Sequence, residues 1–178
     1  MSLDKAKIVR TKAEDVYGIR KIQRLTWLDT YPNEEFGITR QDVVDKFAID
    51  GTDGGRQKIE DRKKLYSDPS VCALVAKDQD RIVGFCMVKK EVDRGQIMPL
   101  YILPEYQGMG LGKRLISRGI GWLGDKRPIY VNVVTYNSRA IGFYKSCGFT
   151  KTDKEVHDTA ADFPSGRSTP EIEMVLRA

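Results

Sequence analysis

Three glycines alternate with single residues in Gln107-Gly108-Met109-Gly110-Leu111-Gly112-Lys113, and the flanks of this run constrain the fold more than any other feature of the chain. Before it, the β-rich stretch 96–103 ends at Pro104; after it, Leu111, Leu115, Gly119 and Trp122 recur about four apart. The pattern predicts a strand, a tight loop and a helix over 111–123. Glycines remove the Cβ atoms that would block a ligand, and successive N–H groups at a helix start can then cradle a phosphate or diphosphate. Spacing excludes two common phosphate loops. A dinucleotide fingerprint wants GxGxxG, whereas this loop reads GxGxG followed by Lys113; a Walker loop wants GxxxxGK before Ser or Thr, whereas Gln107 and Arg114 stand at those places. A glycine-rich turn that holds no ligand is the alternative.

The remaining pattern fills in around this unit. Ile8 and Val9 form a short first strand, and Thr11 with Glu14 is a capping-box signature opening a helix on which Val16, Ile19, Ile22 and Leu25 recur. That helix runs to about Leu28 and stops before Pro32. A cap-like Thr39 precedes a second helix carrying Val43, Val44 and Phe47, and Gly51-Thr52-Asp53-Gly54-Gly55 reads as a flexible breaker. Residues 71–77 and 82–90 form a hairpin about Asp78-Gln79-Asp80. Strand 129–133, a short helix 138–146 stopped by Gly148, and strands at Val156 and 172–176 around a polar loop complete the order. The fold class is α/β of the α+β type, and 178 residues fit one domain over 1–178.

No window approaches the ~20 apolar residues of a membrane helix, so no membrane partner is expected. The N-terminus lacks the order of a secretory signal, which makes the cytoplasm the expected location. Cys72, Cys86 and Cys147 are odd in number without CxxC spacing, and the lone His157 has no Cys or His near it, so no metal is expected. The net charge of +5 is unevenly spread. Residues 29–53 carry seven acids against two bases, while 105–128 are locally basic. The bases cluster where ligand phosphates would sit, which argues against nucleic acid as the partner.

The glycine segment resembles motif A of the GNAT superfamily of N-acetyltransferases, Q/R-x-x-G-x-G/A, at Gln107, Gly110 and Gly112, with Leu100-Tyr101-Ile102-x-Pro104-x-Tyr106-Gln107-Gly108 strengthening the match. Asn137-Ser138-Arg139-Ala140-Ile141-Gly142-Phe143-Tyr144-Lys145-Ser146-Cys147-Gly148-Phe149 resembles motif B, N-x-x-A-x-x-F-Y-x-x-x-G-F. The resemblance implies a mixed, mostly antiparallel sheet of six to seven strands flanked by about four helices. It implies acetyl-CoA as cosubstrate, held by Ile102, Leu103, Gln107, Gly108, Met109, Gly110, Leu111, Gly112 and Lys113, with Asn137 and Tyr144 along the pantetheine arm. Tyr144 is the implied general acid toward sulfur. Read without the resemblance, Asn137 is a helix N-cap and Tyr144 a packing aromatic.

Acetyl transfer needs a neutral amine, a place for the charge developing on the carbonyl oxygen, and a proton for the departing thiolate. Pro104 is expected to end its strand and let it splay from 129–133, opening a gap for the thioester. Relatives carry a glutamate where Gln96 stands, and Gln96 cannot accept a proton, so the base is left open between water and an acid such as Glu34 or Glu35. The acidic run favours a small cationic amine as acceptor, unless those acids are merely a solvated helix face. Thr26-Trp27-x-x-Thr30-Tyr31 looks like PaiA-type polyamine acetyltransferases, which puts Trp27, Tyr31, Glu34 and Glu35 at the acceptor site. A protein-lysine or N-terminal acceptor and a non-catalytic acetyl-CoA-binding module are the alternatives. A monomer or homodimer is expected.

Overall fold

The computed structural model describes residues 6–48, 51–156 and 162–177. His157 and the first part of the loop expected over 158–169 lie outside them, as does Asp50. Seven strands form one sheet in the order β1-β2-β3-β4-β5-β7-β6. They are β1 (Ala6–Arg10), β2 (Val71–Asp78), β3 (Arg81–Lys90), β4 (Gly95–Ile102), β5 (Ile129–Val134), β6 (Thr150–Val156) and β7 (Glu171–Leu176). Every neighbouring pair is antiparallel except β4 with β5. The helices are α1 (Val16–Thr30), α2 (Arg40–Ala48), α3 (Asp53–Tyr66), α4 (Leu111–Leu123) and α5 (Ser138–Ser146).

β2 and β3 lie mid-sheet with helices on both faces, so their residues read as continuous apolar runs and are buried almost throughout. On β3, Phe85 packs toward Tyr66 of α3 and Tyr101 of β4, at ring-centroid distances of 5.9 and 6.5 Å. Its neighbours Cys86 and Val88 face Gly119 of α4. α4 buries Leu111, Leu115, Gly119 and Leu123, the i, i+4 stripe of its sequence. A second cluster, Trp27, Ile38, Val43, Phe47 and Phe163, ties α1 and α2 to the segment before β7.

Three expectations are corrected. The flexible breaker at Gly51–Gly55 instead contains the start of α3, because the Thr52 hydroxyl accepts the Gly55 N–H at 3.1 Å and caps the helix. This raises the helix count from about four to five. The box expected at Thr11 and Glu14 sits one residue later: the Lys12 N–H donates to the Asp15 carboxylate at 2.9 Å, and Lys77 Nζ pairs with the same side chain at 2.6 Å.

The third correction concerns why the sheet opens. β4 and β5 pair only at Gly95–Ile129, Gln96–Tyr130 and Ile97–Val131. Just beyond, the β3–β4 register slips, so that Met98 and Pro99 together oppose the single residue Met87. An extra residue bends its strand. The strands therefore part at the Met98–Pro99 irregularity, ahead of Pro104. Pro104 heads the single 3-10 turn Pro104–Tyr106 that leads into the glycine loop.

Candidate active site

A cleft of about 780 Å³ opens where β4 and β5 part. Its walls are the end of α1, residues 100–102 of β4, the glycine loop and the start of α5. At the loop, Gly108 and Gly110 have φ of +73° and +81°, which side-chain-bearing residues rarely adopt, and a Cβ at either would meet nothing within 4 Å. The space beside the backbone is therefore open for a ligand. Gly110 is the N-cap of α4 and offers no side chain to its first turn, so the helix's leading N–H groups are free of side-chain caps. Lys113 and the edges of Gly108, Gly110 and Gly112 line this half. Such a donor set fits a pyrophosphate.

Other members of the expected coenzyme set sit differently. Leu103 and Leu111 are buried and off the cleft, and the Leu103 N–H is spent on the Val83 carbonyl at 3.1 Å. Met109 is likewise not among the lining residues, although it belongs to the same loop. Ile102 lines the cleft, with its carbonyl accepting the Gln107 side-chain amide at 2.9 Å. Gln107 Oε1 in turn accepts from Arg139 Nη1 at 2.5 Å.

Asn137 and Tyr144 both reach the cleft from α5. Asn137 is also the N-cap, its Oδ1 accepting the Ala140 N–H at 3.0 Å, so the structural role and a lining position coincide in one residue. Tyr144 is 5% exposed and wedged between Phe143 and Phe149, with ring centroids 5.2 and 5.6 Å away. Its hydroxyl makes no hydrogen bond among the described residues. Burial pushes this phenol well above the ordinary tyrosine range, with Cys86, Cys147 and Tyr101 adding to the shift.

The opposite half of the cleft is aromatic. Trp27 and Tyr31 stack at 4.4 Å, and the Tyr136 hydroxyl donates to the Tyr31 carbonyl at 2.9 Å. Burial moves Tyr136 up to about 12. Tyr101 stands beside them, its hydroxyl accepting from Gln23 Nε2 and Trp27 Nε1. Among the described residues, Asp29 is the single carboxylate that lines the cleft. Glu34 and Glu35 sit on the exposed turn closed by the Asn33–Ile38 bridge and do not line the cleft. Gln96 is also absent from the lining, its amide turned to the Ile97 carbonyl at 3.2 Å. Among its described residues, the acidic run thus contributes one to the site. Asp42 is held by Thr39 and Arg167, Asp45 by Gln41, and Asp53 by Arg56.

Among the described residues no group of three His, Cys, Asp or Glu side chains could hold a metal ion, and no helix is long and apolar enough to cross a membrane. A family model for the acetyltransferase (GNAT) family matches residues 19–149, taking in the glycine loop, both faces of the cleft and Tyr144. The chain belongs to the GNAT acetyltransferase family. This GNAT chain is 34% identical over 110 residues to the peptidyl-lysine N-acetyltransferase YjaB of Salmonella typhimurium, covering 61% of this chain and 71% of that protein. It is 30% identical over 131 residues to the mycothiol acetyltransferase of an Arthrobacter species, but spans only 36% of that protein's length. In fold it follows the PaiA N-acetyltransferase of Thermoplasma acidophilum, crystallised in complex with coenzyme A, with a TM-score of 0.74, 19% identity and 100% of both chains covered.

The residues missed by sequence reasoning are Asp29, Tyr101, Tyr136 and Arg139. Asp29 and Tyr136 carried only a weak signal, the first as one acid among seven and the second as a lone aromatic after β5. Tyr101 and Arg139 fall inside the two motifs, but neither shows a partner until the chain folds.

Proposed function

We propose that this GNAT protein transfers the acetyl group of acetyl-CoA directly to the primary amine of a small cationic acceptor, a polyamine such as spermidine or spermine. The observation that carries this reading is the make-up of the acceptor half of the cleft: Asp29 beside Trp27, Tyr31, Tyr101 and Tyr136, facing the phosphate cradle. Aromatic faces attract an ammonium through their quadrupole, and a carboxylate supplies the countercharge. An aliphatic polyamine presents cationic nitrogens on an apolar stem, which suits both.

Each wall has its task. The α4 N-terminus and Lys113 bind the coenzyme's phosphates, and the acyl thioester it carries supplies the activated acetyl group. Beyond Ile97 the β4 edge is not paired with β5, which leaves room for the arm along it. Tyr144 keeps its proton at neutral pH, because burial opposes ionisation, and its assigned role is to give a hydrogen bond or proton to the departing sulfur. No carboxylate stands at position 96, so the acceptor amine, with a pKa of about 10.4, reacts through its small neutral fraction and loses its proton to water.

The likeness to a peptidyl-lysine N-acetyltransferase supports a second reading, since a lysine side chain is also a primary amine on an apolar stem. Thiol release from acetyl-CoA, followed with spermidine, spermine and lysine-bearing peptides, tests both. Turnover is expected with free polyamines. Turnover with peptides alone shifts the acceptor to protein lysines, and tight coenzyme binding without turnover on any amine identifies a non-catalytic module.

A further inference from the structure

Arg139 occupies the first turn of α5, between the two halves of the cleft. Its Nη1 lies 2.5 Å from Gln107 Oε1 on the phosphate loop and 3.7 Å from Asp29 Oδ2 at the end of α1. One guanidinium nitrogen therefore spans from the coenzyme cradle to the carboxylate that lines the acceptor half among the described residues. The two side chains of the ion pair are 73% and 48% exposed, so water screens it and it is weak. A guanidinium matches phosphate oxygens bidentately, and such pairs are among the strong charge-assisted hydrogen bonds. Arg139 already touches the loop that would carry those oxygens.

We infer that Arg139 is a coenzyme-binding residue shared with Asp29, and that this sharing couples the two substrate sites. Without coenzyme, Arg139 competes with an ammonium ion for Asp29. Coenzyme phosphates on the Gln107 side of the cleft take up the guanidinium's donors, and Asp29 is released for the amine. Linkage makes the effect reciprocal: whatever weakens the hold of Asp29 on Arg139 must tighten coenzyme binding. The inference rests on the acetyl-CoA reading of the cleft but not on the identity of the amine.

Calorimetric titration of coenzyme A into the wild type, Arg139→Gln, Asp29→Asn and the double variant tests it. Arg139→Gln should weaken coenzyme A binding about tenfold and Asp29→Asn tighten it about threefold, the size expected when a weak exposed pair is removed. In the Arg139→Gln background, Asp29→Asn should have no effect. Simple charge repulsion by Asp29 would instead give an equal or larger gain there, and that result overturns the sharing. Unchanged affinity in Arg139→Gln, with a normal melting temperature, overturns it as well. A wild type that ignores coenzyme A at millimolar concentration removes the acetyl-CoA reading itself, a different failure. With spermidine as the probe, saturating coenzyme A should tighten binding about threefold in the wild type and not in Arg139→Gln, by the same linkage. Equal enhancement in both overturns the coupling, whereas no spermidine binding in any state overturns the polyamine reading.

Discussion

The indole N–H of Trp27 donates to the Tyr101 hydroxyl at 3.2 Å, joining the end of α1 to the strand that opens the cleft. Gln23 Nε2 donates to the same oxygen at 3.1 Å, and its amide is oriented by Arg20, which donates to Gln23 Oε1 at 2.9 Å. A phenol oxygen that accepts twice must send its own proton elsewhere, and Tyr101 lines the cleft. Burial raises the Tyr101 pKa, so that proton stays on at neutral pH. Tyr101→Phe leaves two N–H groups of the buried Gln23 and Trp27 without their acceptor, at about 1–3 kcal/mol. The melting temperature should fall by about 2–10 °C for a domain of this size. A rise in the KM for the amine with an unchanged coenzyme A affinity is also expected; a drop in stability alone would leave Tyr101 as a strut between α1 and β4.

Tyr144→Phe should lower kcat by at least about a hundredfold, the usual worth of a placed proton donor, while coenzyme A affinity stays within about twofold. The shift in the Tyr144 pKa gives a second check. It is raised, mainly by burial, so the acid form persists throughout the accessible alkaline range. The rate should therefore climb with pH as the amine deprotonates and show no descending limb between about pH 8 and 10. A fall in kcat within that interval, absent from Tyr144→Phe, would contradict the raised value.

α4 and α5 were legible to the residue because their punctuation is local. Glycines precede α4, Asn137 caps α5, and Gly148 stops the latter. α3 was hidden for the opposite reason: two glycines occupy its first turn, and Ile59 and Tyr66 are the large side chains it buries, so neither composition nor period announces a helix. The slip at Met98–Pro99 has no local signature either, because it depends on the register β4 shares with β3 and β5 at once. The Asp29–Arg139 pair is less legible still, since 110 positions separate residues that only the folded chain brings together. Local chemistry is written in sequence, while pairings across the sheet are decided by packing.

Gly110→Val tests the phosphate cradle. At φ +81° a β-branched residue is strained by about 1–2 kcal/mol, and its methyl groups would project into space now open. Coenzyme A binding should weaken by at least about a hundredfold, since the loss includes several N–H contacts of about 1.5 kcal/mol or more each. The melting temperature should drop by only a few degrees. Retained binding in a folded Gly110→Val protein would mean that the coenzyme's phosphates lie elsewhere.

Asp42 tests how the acceptor wall is held in place. Its carboxylate accepts the Thr39 N–H and hydroxyl at 2.8 and 2.6 Å and pairs with Arg167 at 3.2 Å, fastening α2 to the segment that carries Phe163 against Trp27. Hydrogen bonds from Ser165 and Thr39, more than Arg167, hold its pKa far below the usual carboxylate range. A depressed folded-state pKa contributes stability that is fully present above the unfolded value of about 4 and is lost as pH falls toward the folded one. Asp42→Asn should therefore melt several degrees below the wild type at pH 7, and the gap should close on acidification from about pH 5 toward pH 2. A gap that is constant across that range would assign the loss to packing rather than to charge. Because Trp27 and Tyr31 lean on this wall, the same variant should raise the amine KM more than it changes coenzyme A affinity.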